Sequence, residues 1–172
     1  LNVSFQDERK NTLGLLEAFQ NTLSSHDLQL VMVGGNRFIN VTNKQRFERL
    51  IQEIGDRVKL IEFLPPNSNE LIGLLQNCQF HVLPSTVETP GLATLEALAA
   101  NKTCLVGKCK PTIEYFKNYV TYCDPKSTNS IKEGIMQLVS GAITSSEPND
   151  FLYQNYSDVV AKENLIRVYQ DL

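Results

Sequence analysis

The chain has 172 residues, 42% of them hydrophobic and 20% charged, with a net charge of −3. At this length one domain can bury roughly 70% of its unfolded surface, and the composition excludes a disordered chain. The slight acidity and the lack of any basic run exclude a nucleic-acid surface, so no nucleic-acid partner is expected. No run approaches the ~18 apolar residues of a membrane span, and no leader-like segment opens the chain, so a cytoplasmic protein is expected. Cys78, Cys104, Cys109 and Cys123 read as reduced, buried thiols. Only Cys104 and Cys109 are closely spaced, so no metal is expected. The first residue is Leu1, not Met, which fits a piece excised from a longer protein.

In chain order, a short apolar start from Leu1 to Phe5 leads into the charged turn Gln6 to Asn11. Leu13, Leu16, Phe19 and Leu23 then recur near helical spacing, predicting about three turns of helix. Leu28 to Gly34 is a nearly continuous apolar run ending in Gly34-Gly35, as expected of a parallel strand covered on both faces. Phe47, Leu50, Ile51 and Ile54 form one stripe of a second helix, with Gly55 as its C-terminal cap. Val58 to Phe63 predicts a strand broken by Pro65 and Pro66. Asn67 with Glu70 has capping-box spacing for a helix through Leu75. Phe80 to Leu83 and Thr103 to Gly107 read as buried strands. Pro111 opens a short helix to Asn118, and Tyr119 to Cys123 is a last short strand. Ser130 with Glu133 predicts another capped helix. Ser140 to Asp150 reads as a linker, and a final helix around Ser157 to Asp171 carries Val159, Val160, Ile166 and Tyr169.

This alternation of about six strands with helices predicts an α/β fold, a three-layer, Rossmann-like, doubly wound parallel sheet with right-handed crossovers. In such sheets ligands bind at the carboxyl ends of strands. The stretch Pro84 to Leu98 lies at one such end. Thr89 is the expected N-cap and Pro90 the first helical residue, since its missing N–H would be unpaired there anyway. Gly91 lets backbone approach a ligand, and the free N–H groups near Gly91 and Leu92 suit a diphosphate at the positive end of the helix. Glu88 and Glu96 lie eight positions apart, ~12 Å along a helix. That exceeds the ~5 to 9.5 Å of paired glycosidase carboxylates. The pair is therefore expected to clamp ligand hydroxyls rather than to act as an acid/base couple.

Glu88-Thr89-Pro90-Gly91-Leu92-Ala93-Thr94-Leu95-Glu96-Ala97 resembles the Glu-x7-Glu motif of the large retaining glycosyltransferase family with the GT-B fold, known as family 4 or group 1. The family more often has Glu-Gly-Phe-Gly where this chain has Glu-Thr-Pro-Gly. The resemblance implies that Glu88, as the catalytic residue, contacts hydroxyls of a donor sugar, and that Glu96 contacts the nucleotide ribose. It places Thr89, Pro90, Gly91 and Leu92 on the donor. It also implies that Lys10, in Lys10-Asn11, reaches the donor phosphates, that Gly35 keeps a tight loop near the ligand, and that Leu64 and Pro65 lie by the base. The family's Arg, shortly before this Lys, has no counterpart near Ser4, which leaves Arg9, Lys108 and Lys110 as candidates for a second cation.

The resemblance further implies one lobe of a GT-B enzyme. Residues 1–140 are the expected nucleotide-sugar-binding domain. Residues 141–172 are expected to form a linker and a C-terminal helix that packs back on the domain or toward an absent N-terminal lobe. The implied activity is transfer of a sugar, with retention, from a UDP-, GDP- or ADP-sugar to a glycan or lipid-linked acceptor held by that lobe. No cofactor is expected. The full enzyme is expected at the inner face of the cell membrane in polysaccharide biosynthesis, and this chain alone is expected to be inactive. A sugar-nucleotide epimerase lobe and a non-catalytic nucleotide-binding module stay open as alternatives.

Overall fold

The structure is a computed structural model and describes residues 1–141 and 149–170. In chain order the elements are β1 (Asn2–Val3), α1 (Thr12–Gln20), β2 (Leu30–Val33), α2 (Val41–Ile54), β3 (Val58–Ile61), α3 (Asn69–Asn77) and β4 (Phe80–Leu83). There follow α4 (Leu92–Ala99), β5 (Thr103–Gly107), α5 (Lys110–Phe116), β6 (Thr121–Cys123), α6 (Thr128–Val139), α7 (Asn149–Tyr156) and α8 (Asp158–Gln170). All the ladders are parallel, β1-β2-β3 in one half and β4-β5-β6 in the other.

The halves meet at β1 and β4. Leu1 N donates to Phe80 O at 2.9 Å, Val82 N to Leu1 O at 2.9 Å and Asn2 Nδ2 to Val82 O at 2.8 Å. The strands thus run in the order β3-β2-β1-β4-β5-β6, and the order reverses between β1 and β4, the switch point of a doubly wound sheet. Alternate residues of each strand feed opposite faces, as a period of two demands. Leu30, Met32 and Leu105 pack with α1, α2 and α6 through Leu16, Phe47, Leu50 and Ile135. Val33, Cys104 and Val106 pack with α3, α4 and α5 through Leu71, Leu98 and Phe116. Both faces are covered, which is why these strands read as continuous apolar runs.

The expected elements are present with altered ends. Thr103–Gly107 and Phe80–Leu83 form as read, and Gly55 caps α2 at φ 63°. Two caps shift to an earlier or later hydroxyl. Asn67 takes a left-handed turn at φ 60°, so Ser68 becomes the extended residue whose hydroxyl accepts from Leu71 N at 3.2 Å. Ser127, not Ser130, caps α6 and accepts from Ser130 N at 3.1 Å, while the Ser130 hydroxyl accepts from Asp124 N. The helix α1 is shorter than expected and leaves Leu23 in the following turn.

Most of the expected linker, residues 142–148, lies outside the described residues. Part of it is helical instead: α7 begins at Asn149 and buries Phe151 against Tyr119, the rings stacked with centroids 4.1 Å apart. Val159, Leu165, Ile166 and Tyr169 of α8 are exposed. Among the described residues no helix is long and apolar enough to cross a membrane.

Candidate functional site

The loops that leave β1 and β4 are adjacent at the switch point and are laced together. Thr86 donates from both N (2.9 Å) and Oγ1 (3.0 Å) to Arg9 O, and Arg9 Nη1 donates to Val87 O at 3.2 Å. The β1 loop is itself pinned, with Lys10 N donating to Asp7 Oδ1 at 2.6 Å and Asp7 N to Thr12 Oγ1 at 3.1 Å. This scaffold brings Lys10 to Glu88 across 78 positions of sequence: Lys10 Nζ donates to Glu88 Oε2 at 2.6 Å. Ser85 Oγ donates to the same oxygen at 2.8 Å. Arg9 Nη1 lies 3.9 Å from the other oxygen, Oε1. The Glu88 side chain is only 6% exposed and that of Lys10 12%. A carboxylate so buried is tolerated because one of its oxygens is doubly satisfied and a cation faces each.

The helix after Glu88 starts later than its sequence suggests. Thr89 is not its N-cap and Pro90 not its first residue. The Thr89–Pro90 peptide is cis, and Gly91 turns left-handed at φ 75° to become the N-cap of α4. The helical ladder therefore begins with Thr94 N and Leu95 N donating to Gly91 O. A Cβ at Gly91 would lie 3.1 Å from Glu88 Cγ and 3.1 Å from Phe116 Cζ. Glycine is thus required by conformation and by crowding together. The first two helical residues, Leu92 and Ala93, both line the cleft, so the positive end of α4 faces it.

That cleft, about 630 Å³, is bounded by the β1 and β4 loops and by the ends of β2 and β3. It gathers Lys10, Glu88, Thr89, Pro90, Gly91, Leu92 and Leu64 from the expected set. Gly34 lines it rather than Gly35, and Pro65 is exposed outside its lining. Glu96 also stands apart, because α4 carries it toward α3. It lines a separate depression of about 260 Å³ with Asn67 and Leu71, where desolvation raises its carboxyl pKa. Lys108 and Lys110 do not line the cleft.

Sequence reasoning missed Ser85, Phe5, Phe63 and Glu62, all but the first on the cleft wall. The Pro84-Ser85 step after a buried strand was the available signal for Ser85. Phe5 and Phe63 gave none, since both read as strand residues, yet they are 41% and 70% exposed at the mouth of the cleft. A second cavity, about 320 Å³, lies at the opposite strand ends and is walled by Leu15, Phe19, Leu30, Leu74 and Phe80. Gln29, Asn77 and Gln79 share its wall, but Asp27 is its one charged side chain and faces no Lys or Arg of the lining, so the chemistry is assigned to the cleft. Among the described residues no group of His, Cys, Asp and Glu could hold a metal ion.

Behind the cleft, His81 on β4 is fully buried, with Nδ1 unpartnered and Nε2 3.5 Å from Thr94 Oγ1. Burial, reinforced by nearby positive charge including Lys10, pushes its pKa from 6.5 down to about 3. The unfolded chain therefore takes up this proton first as the pH falls. Stability from this residue is complete above 6.5 and declines as the pH drops toward 3, at up to about 1.4 kcal/mol per pH unit. Urea unfolding of the chain and of His81→Asn at pH 7, 6 and 5 should show a steeper acid loss for the parent; equal slopes would refute the buried neutral imidazole.

Three comparisons with known proteins agree. The chain is 28% identical over 164 residues to an uncharacterized glycosyltransferase of Methanocaldococcus jannaschii, MJ1607, covering 91% of this chain and 40% of that protein. It superposes with a TM-score of 0.74 and 21% identity on the C-terminal domain of a group 1 family glycosyl transferase, LpcC of Francisella tularensis, covering 91% of this chain and 86% of that domain. It also superposes, with a TM-score of 0.76 and 16% identity, on Anabaena Alr3699/HepE, solved in complex with UDP and glucose, covering 99% of this chain and 48% of that one. The chain thus spans less than half the length of MJ1607 and of the Anabaena protein. The description "Glycosyl transferases group 1" matches residues 1–157, which includes both switch-point loops and all six strands, and the chain belongs to that family.

Proposed function

We propose that this chain is the donor-binding lobe of a retaining, family 4 glycosyltransferase, which moves a sugar from a nucleoside diphosphate to a glycan or lipid-linked acceptor. The observation that carries the reading is the buried Lys10–Glu88–Ser85 cluster at the switch point, set against the positive start of α4. A diphosphate fits between Lys10 and the N–H groups of Leu92 and Ala93. Glu88 then offers an acceptor oxygen to sugar hydroxyls, and Glu96, which lines the separate depression beside α3, is assigned to a ribose that extends from the cleft toward that depression. Leu64 and Pro65 are assigned to the base, and Gly35 to keeping the β2 loop tight beside it.

In this reading the lobe acts by holding the donor and by stabilising the charge of the departing diphosphate, in a site organised before the ligand arrives. Its cations and helix N–H groups supply that stabilisation, and no cofactor is assigned. The binding of UDP and glucose by the Anabaena protein supports a nucleotide-sugar donor. The acceptor belongs to a second, N-terminal lobe, toward which the exposed apolar residues of α8 are proposed to pack, with the domain itself ending near residue 140. The reading places the full enzyme in the cytoplasm, peripherally at the membrane, in polysaccharide assembly.

Titration of the folded chain with UDP, GDP and ADP by calorimetry tests the donor assignment. One of them is expected to bind weakly, and the chain alone is expected not to turn over a sugar nucleotide. Glu96→Ala should weaken the nucleoside diphosphate itself. The absence of heat with all the nucleotides would sink the reading.

A further inference from the structure

We infer that the lobe selects a guanine nucleotide and that Glu62 is the residue that chooses the base, an assignment that rests on the donor reading above. Glu62 directly follows β3 and lines the cleft. Neighbouring strands lie ~4.8 Å apart and β3 is the second strand from β1, so Glu62 stands roughly 10 Å from the loop that carries Lys10. A nucleoside diphosphate held by its phosphates at Lys10 and the start of α4 therefore lays its base over the ends of β2 and β3. Of the wall residues there, Val33, Gly34, Glu62, Phe63 and Leu64, Glu62 alone has a hydrogen-bonding side chain. It is exposed, and among the described residues no Lys or Arg pairs with it.

An ionised carboxylate only accepts hydrogen bonds, and its two oxygens lie side by side. Guanine presents the matching edge, with N1–H and an N2–H adjacent and parallel, so both oxygens are satisfied at once. Uracil sets its single N3–H between two carbonyl oxygens, and adenine sets its amino group beside the N1 lone pair. With either base one carboxylate oxygen gains a bond while the other meets an acceptor, which forfeits a bond and adds repulsion. Phe63, 70% exposed on the same wall, offers an apolar face to the ring, a contact that every base can make. Stacking therefore adds affinity, and Glu62 makes the choice.

Calorimetry of the chain with GDP, IDP, ADP and UDP tests the assignment. GDP is expected to bind at least about tenfold more tightly than ADP or UDP, and IDP, which keeps N1–H but lacks the 2-amino group, to fall between them. Glu62→Gln, whose amide sets a donor beside its one acceptor, is expected to lose about tenfold for GDP while ADP and UDP hold or gain, and to melt with the parent because the residue is exposed. IDP bound as tightly as GDP, or GDP affinity in Glu62→Gln within about twofold of the parent, overturns the role of Glu62. Tighter binding of UDP or ADP than of GDP by the parent overturns the choice of guanine and spares the donor reading. Failure of the parent to bind any of the four overturns the donor reading, and this assignment with it.

Discussion

Replacing Gly34 with alanine is expected to cost at least about 3 kcal/mol, enough to lower the melting temperature by roughly 6–12 °C in a chain of this size. Gly34 follows β2 at φ 136°, a conformation that side chains rarely adopt, and an added Cβ would lie 2.0 Å from Ser4 O and 2.6 Å from Ser4 C. Those atoms belong to the backbone leaving β1, so no rotamer change relieves the overlap. The same glycine donates its N–H to Ile61 O at 2.8 Å and lines the cleft, so the β1, β2 and β3 ends that form one wall would shift together. Gly35→Ala is the control. Its nearest neighbour would be 3.8 Å away, an ordinary contact, and a change of about 0.5 kcal/mol or less is expected there. Equal melting temperatures for the two variants would refute the close approach at Gly34.

Lys10→Met is expected to produce two losses at once. It strands the Glu88 carboxylate, which is 6% exposed, with Ser85 and a distant Arg9 for partners, and removing one member of such a buried pair costs about 3 kcal/mol. It also removes a charge-assisted donor to phosphate, worth about tenfold to a hundredfold in nucleoside-diphosphate affinity. Glu88→Gln should behave differently, because it releases Lys10 from its partner. Nucleoside-diphosphate affinity is expected to hold or rise, while the gain from adding the sugar to the ligand is lost. The double variant should be more stable than Lys10→Met alone, since the uncompensated charge is gone. Strictly additive stabilities in a double-mutant cycle, or an equal loss of nucleotide by both single variants, would reject the coupling.

These predictions depend on a proximity that the sequence announces only in part. Glu88 and Glu96 are eight residues apart in one motif, and their spacing already argues against an acid/base couple. Lys10 was legible only through the family resemblance, which implies a phosphate-binding Lys after the first strand. That Lys10 touches Glu88 is a property of parallel topology, in which the ends of β1 and β4 meet although about 80 residues separate them. The helix start was misread for a local reason. Thr89 and Pro90 have good capping chemistry, but Gly91 alone can turn left-handed between Glu88 and Phe116, so the chain spends both residues in the loop. Ser68 and Ser127 displaced the expected caps in the same way, since a cap is chosen by the backbone angle of the residue entering the helix as much as by its hydroxyl.

The sequence by itself determined the α/β alternation and the apolar runs of β2, β4 and β5, because burial on both faces and helical periodicity write themselves into the order of apolar residues, and it marked the Glu-x7-Glu stretch through the family resemblance. Only the tertiary structure decided that Glu88 is buried and held by Lys10 and Ser85, that Glu96 faces a separate depression beside α3, and that Arg9 shares the cleft wall with Lys10. Side-chain direction at the end of a strand depends on which strand lies next to it, and neighbours in this sheet are set by crossovers that join residues far apart in the chain.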